Sequence, residues 1–262
     1  MARLPIGLVG ALLLASVPAC APPIGESSFI KSCVIAEDQM GTFDGRWQQL
    51  PIPIATQSGQ NFSATEKQAI IDAAEKWNRV SRFSLGVDAF DVGGGTLPEG
   101  SIPNAPCQIP NLSGGMSGGV FSPIVIRKRS DWSSTYYSSG VIAVTTTCPT
   151  GDPISQVIAD ARTFYGGQIE LNYQQFFVTG SVPDLESIVA HELGHLAGLK
   201  HSCEGSTSSA DVPRCSSPAI NPLYKSALMF PSFGIGEKRS NPNPNDQGRF
   251  NCLYLPLFGI TE

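Results

Sequence analysis

His191-Glu192-Leu193-Gly194-His195-Leu196-Ala197-Gly198-Leu199-Lys200-His201 holds all three histidines of this 262-residue chain. The residues before it predict a helix: Pro183 opens it, Asp184 stands in its first turn, and Leu185, Ile188, Val189, Leu193 and Leu196 recur as a buried stripe. Histidines four apart lie on one helical face, so His191 and His195 can reach one metal ion. Glu192 points about 100° round the axis, beside the open coordination position. Gly198 lets the chain leave the helix sharply with a positive φ, and the turn returns His201 to the same ion. Three neutral nitrogen ligands and one open position are the donor set of a catalytic zinc, whereas structural zinc sites are closed by four protein ligands. A bare His-Glu-x-x-His arises by chance on helix surfaces. The longer spacing, which uses every histidine of the chain, is far more restrictive.

Composition narrows the field from outside this motif. Lys and Arg number 17 against 22 Asp and Glu, a formal charge of -5, which argues against a nucleic-acid binder with a basic face. Charged residues are only 15%, and 27 glycines with 21 prolines exclude a coiled coil or an acidic disordered tail. A loop-rich, weakly charged globule with one sizeable core remains.

The beginning of the chain reads as an export signal over residues 1–20. Arg3 gives a short positive region, and the apolar stretch 4–17 is too short for a bilayer, which needs about 20 residues. Val17-Pro18-Ala19-Cys20 resembles a bacterial lipobox, which makes Cys20 a candidate for lipidation; ordinary cleavage after Ala21 is the alternative. Six further cysteines remain, an even number that suits three disulfides in an exported chain. Fifteen pairings are possible and sequence alone does not choose among them. Cys203 and Cys215 share one loop and are paired here; Cys33 with Cys252 could tie the ends of the domain, leaving Cys107 with Cys148.

One domain follows. Residues 21–45 form a short lead-in and residues 46–262 the folded unit, with an opening strand at 50–54. Ser63-Ala64-Thr65-Glu66 is a capping box, and Ile70, Ile71, Ala74, Trp77 and Val80 predict a helix over 64–80. Strands are expected at 82–87, 121–126, 141–147 and 158–171, the last with a hairpin or bulge at Gly166-Gly167; residues 93–119 read as an irregular loop.

The motif 191–201 resembles the metzincin zinc-binding consensus. Ala227-Leu228-Met229-Phe230-Pro231 is similar to the Met-turn of matrixins, where a methionine underlies the zinc ligands. Astacins and serralysins typically carry a tyrosine two residues after that methionine; here Pro231 stands there. Asn243-Pro244-Asn245-Asp246 caps a helix with Phe250, Leu253 and Tyr254 as its buried stripe, similar to the C-terminal matrixin helix, and Trp77 matches the first one.

The resemblance implies an α/β (α+β) metzincin fold: a twisted mixed five-stranded sheet, two long helices and a C-terminal helix. It implies a bacterial secreted or lipid-anchored zinc endopeptidase. His191, His195 and His201 would be the ligands, Glu192 the general base, and Met229 the Met-turn methionine. Phe230, Pro231, Ser232 and Phe233 would line the substrate pocket. Substrate would be an extended protein or peptide lying along an edge strand, residues 141–147, with 157–164 as the alternative. One zinc is expected, since no histidine is left for the second zinc of vertebrate matrixins. Calcium sites of the family find no ligands matched residue by residue, so none is assigned. Nucleic acid is not an expected partner, membrane contact would come only through Cys20, and a monomer is expected. Pro213-Arg214-Cys215 resembles part of the matrixin cysteine switch but lies after the zinc motif, so Cys215 reads as a disulfide partner. The rival class is a zinc-containing surface lipoprotein that binds rather than cleaves.

Overall fold

The computed structural model describes residues 29–259 apart from 101–106, 108–123, 133–137, 139, 154–161, 178–182, 206–209 and 235. The expected export signal with Cys20, lead-in residues 21–28, most of the 93–119 loop and part of the alternative edge at 157–164 lie outside the described residues. No helix among the described residues is long and apolar enough to cross a membrane.

Helix α1 spans Ala64–Leu85. The Ser63 hydroxyl accepts from the Glu66 amide, and Glu66 accepts from the Ser63 amide at 2.7 Å, closing the capping box. The helix runs past its expected end at Val80, so no strand forms over 82–87. Nothing between Val80 and Leu85 breaks a helix, and the stop comes only at Gly86, left-handed at φ 77.

Seven strands form the sheet among the described residues, where five were expected. Three are two-residue pieces, β1 (Gly45–Arg46), β3 (Phe90–Asp91) and β4 (Glu99–Gly100), too short to carry a sequence period. The others are β2 (Ile52–Gln57), β5 (Ile124–Arg129), β6 (Ala143–Pro153) and β7 (Arg162–Asn172). The order β1-β7-β5-β2-β3 is parallel throughout, with β4 also parallel to β2. β6 alone runs antiparallel, and among the described residues β7 is the only strand paired with it, which puts β6 at an edge of the described sheet. The irregularity expected at Gly166-Gly167 is a bulge: Cys148 pairs with Gly166 and Pro149 with Phe164, leaving Tyr165 as the extra residue.

One core joins the sheet to α1, to α2 (Leu185–Leu196) and to α4 (Pro244–Tyr254). α3 is a single turn, Pro222–Lys225. Trp77, fully buried on α1, donates from its indole to the Ala190 carbonyl of α2 at 2.8 Å, so the two long helices are locked in register. The lead-in is bound into this body by a Cys33–Cys252 disulfide to α4. Further along, the Lys200 amide donates to Thr42 and the Asp44 amide to Gly198, both at 2.9 Å. Disulfides also join Cys107 to Cys148 and Cys203 to Cys215.

Candidate active site and metal centre

Asp184 is the N-cap of α2 rather than part of its first turn, because its side chain accepts from the Ser187 amide at 3.0 Å. At the other end the orphan carbonyls of α2 find side-chain donors. Trp47 donates to Leu196 at 2.7 Å and the Tyr254 hydroxyl to Ala197 at 2.9 Å. The exit requires Gly198: its φ is 102, and a Cβ there would lie 1.8 Å from the Gly45 carbonyl oxygen. The turn that follows brings His201 back against α2.

The three imidazoles converge on one point. Nε2 of His195 is 3.1 Å from Nε2 of His191 and 3.2 Å from Nε2 of His201. A tetrahedral ion with bonds of about 2.0–2.1 Å separates its nitrogen ligands by about 3.3 Å, so the spacing fits one zinc. The outer ring nitrogens fix the tautomers: Nδ1 of His191 donates to the Leu228 carbonyl and Nδ1 of His195 to that of Leu199, each at 2.7 Å. Each Nε2 lone pair is thereby left for a metal. Among the described residues these three form the only cluster of its kind.

Burial dominates the electrostatics. It lowers His191 well below the usual histidine range, aided by His195 and His201. Burial also takes His195 down to about 4, and His201, with help from His195, to about 3. All three are neutral and ready to ligate near pH 7. Burial pushes Glu192 up to about 7 against the opposing hydrogen bond from Thr145.

Met229 lies under the ligands. Its Sδ occupies the space beside Gly194, where a Cβ would come within 2.2 Å of it. Its carbonyl accepts from the Ser202 amide at 2.8 Å, next to His201, so one turn supports both ends of the ligand set. Above them opens a cleft of about 540 Å³ whose long wall is the β6 edge. His191, Glu192, His195 and His201 face it, as do Pro231, Ser232 and Phe233. Phe230, expected in the pocket, is not among its lining residues; it packs instead against the buried cluster of Cys203, Ile220 and Tyr224.

Several contributors have no signature in the motif. Thr145 on β6 and Asp44 of the lead-in line the cleft. Arg239 holds its wall, donating to the Ala227 carbonyl at 2.8 Å and to that of Ser232. Arg249, fully buried, donates to Lys200 at 3.1 Å and pairs with buried Asp246. Two of these had a local signal: Thr145 in the strand expected at 141–147, and Asp246 in the cap read at 243–246.

A family model for metallo-peptidase family M12 matches residues 69–242, which include the whole zinc motif and the Met-turn. The chain belongs to that family. No curated protein matches this M12 peptidase in sequence. Among solved structures it is similar to high choriolytic enzyme 1, a hatching enzyme zinc-protease from Oryzias latipes (medaka fish). That likeness has 15% identity, covers 82% of this chain and 94% of the other, and has a TM-score of 0.32. As a metallopeptidase the M12 chain acts on proteins or peptides, and its histidine triad fits a catalytic zinc.

Proposed function

We propose that this M12 peptidase is an exported, matrixin-like zinc endopeptidase that cuts extended polypeptides, with residues 46–262 as its catalytic domain. The observation that carries the reading is the convergence of three Nε2 atoms beside a buried carboxylate, on the floor of a cleft walled by strand β6. His191, His195 and His201 hold one zinc. A zinc ion held there would lower the pKa of a coordinated water to about 7 and would polarise the scissile carbonyl.

The chain's own groups do the rest. Glu192, lying beside the triad without ligating it, takes the proton of the attacking water and passes it to the leaving amine. The outer side of β6, which faces the cleft at Thr145, accepts the substrate main chain as an added strand. Pro231, Ser232 and Phe233 shape the side-chain pocket next to the cut, and the Phe233 ring meets that of His191 edge-on at 5.4 Å. The Met-turn and Pro231 support the matrixin-like assignment within the family. Three disulfides support export. Cys20 would carry the lipid if the signal is of the lipoprotein type, and the protein is expected to be a monomer.

The test is Glu192→Gln, which keeps size and ligands but cannot accept a proton. Zinc content stays normal while cleavage of a mixed peptide library falls at least about a hundredfold. Equal cleavage by both proteins removes Glu192 from the mechanism. A zinc-loaded wild type that cuts nothing makes the chain a zinc-containing binding lipoprotein.

A further inference from the structure

We propose that Thr145 is the positioning residue for the Glu192 carboxylate, so that the strand expected to bind substrate also sets the general base. This rests on the proteolytic reading above. Thr145 Oγ1 lies 2.6 Å from Glu192 Oε2 and 3.1 Å from the Glu192 carbonyl oxygen. A hydroxyl has one proton, and the short, charge-assisted bond to the carboxylate takes it. Glu192 is only 6% exposed, and among the described residues the hydrogen bonds that steady its carboxylate come from Thr145, through its hydroxyl and its backbone amide. The Thr145 hydroxyl is the side-chain donor that holds Oε2.

That donor sits on a rigid element. Thr145 pairs with Ile169 of β7 inside a long ladder, so its hydroxyl is placed by the sheet and not by a loop. Side chains alternate along a strand, and the face carrying Thr145 is also the one on which Thr147 lines the cleft. An extended substrate added to the β6 edge would then be held by the same strand that orients the base. The strand that holds the scissile carbonyl would then also orient the Glu192 carboxylate that α2 carries. Valine at this position would keep the volume of threonine, present a methyl group to a buried carboxylate, and remove the side-chain hydrogen bond that holds Oε2.

The experiment compares zinc-loaded wild type, Thr145→Val and Thr145→Ser in peptide cleavage, zinc content and crystal structure. For Thr145→Val we expect unchanged zinc content and KM with kcat lower by about 10- to 100-fold, and for Thr145→Ser kcat within about threefold of wild type. A side chain that merely fills space would leave kcat alone or be mimicked better by valine than by serine. Thr145→Val with wild-type kcat, or equal losses in both variants, overturns the inference. A wild type without activity overturns the proteolytic reading alone, and the crystals then decide. A Glu192 carboxylate turned away in Thr145→Val supports the positioning role; one that has not moved ends it.

Discussion

Asp246 Oδ2 accepts the Leu228 amide at 2.7 Å, and the carbonyl of that same Leu228 accepts Nδ1 of His191 at 2.7 Å. The first turn of α4 is thus two hydrogen bonds away from the metal position. Asp246 Oδ1 also takes the Met229 amide at 3.2 Å, and Arg249 bridges from Asp246 to Lys200, beside His201. Both partners of the Asp246–Arg249 pair are fully buried, so their value lies in what they hold in place.

Asp246→Ala should destabilise the fold by about 3–5 kcal/mol, because Arg249 is left as a buried, unpaired charge. Zinc affinity should fall about 10- to 100-fold, as it does when the partners behind a ligand are lost. Urea unfolding and competition with a chelator measure the two effects. Unchanged zinc affinity would show that the Met-turn keeps His191 in place without α4.

Gly194→Ala drives a methyl group into Met229 Sδ and against Trp77. The expected cost is about 1–3 kcal/mol. Adding Met229→Ala should recover part of it, so the double variant is more stable than the sum of the two single losses predicts. Strict additivity in a thermal-unfolding cycle would rule out this contact as the reason for glycine in the motif.

Low pH should unfold the metal-free protein through its histidines. Their folded pKa values, about 4 for His195 and about 3 for His201, lie below the unfolded value of about 6.5. The unfolded chain therefore binds more protons below pH 6.5, and stability declines from there until the folded groups titrate. Protons also compete with zinc in the same direction. Zinc release should accompany the loss of activity on the acid side, measured with a metal indicator. A site that keeps its zinc and its activity at pH 4 contradicts this.

Glu66 gives a second acid-sensitive element, away from the cleft. Burial acts to raise it, but the Lys128 ammonium, the Tyr173 hydroxyl and the Ser63 amide and hydroxyl prevail and hold it at about 2. The stabilisation is complete above about pH 4.5 and is lost as pH falls towards 2. Glu66→Gln should be less stable than wild type at pH 7 and converge with it near pH 2. Parallel stability curves across that range would remove Glu66 as the source.

Much of the site was legible because its determinants are local. Helical spacing aligns His191 with His195, Gly198 permits the exit that returns His201, and the caps at Ser63 and Asn243 depend on residues within one turn. Those patterns also indicated the zinc and the metzincin resemblance, because a ligand set on one helix and its following turn is written in consecutive residues. Helix ends were less legible. α1 continued through Leu85 because nothing before Gly86 terminates it, whatever strand propensity those residues carry.

The remaining decisions required the tertiary fold. Thr145 meets Glu192 across 47 residues, Trp77 meets Ala190 across 113, and Trp47 caps α2 across 149. No period or motif encodes such pairs, since each follows from how the sheet, α1 and α4 pack round the same core. Sequence alone therefore determined which residues could bind a metal. Only packing decided how the strands are ordered in the sheet, which face Phe230 took, and which carbonyls hold the imidazoles, because each depends on contacts between segments that share no local spacing.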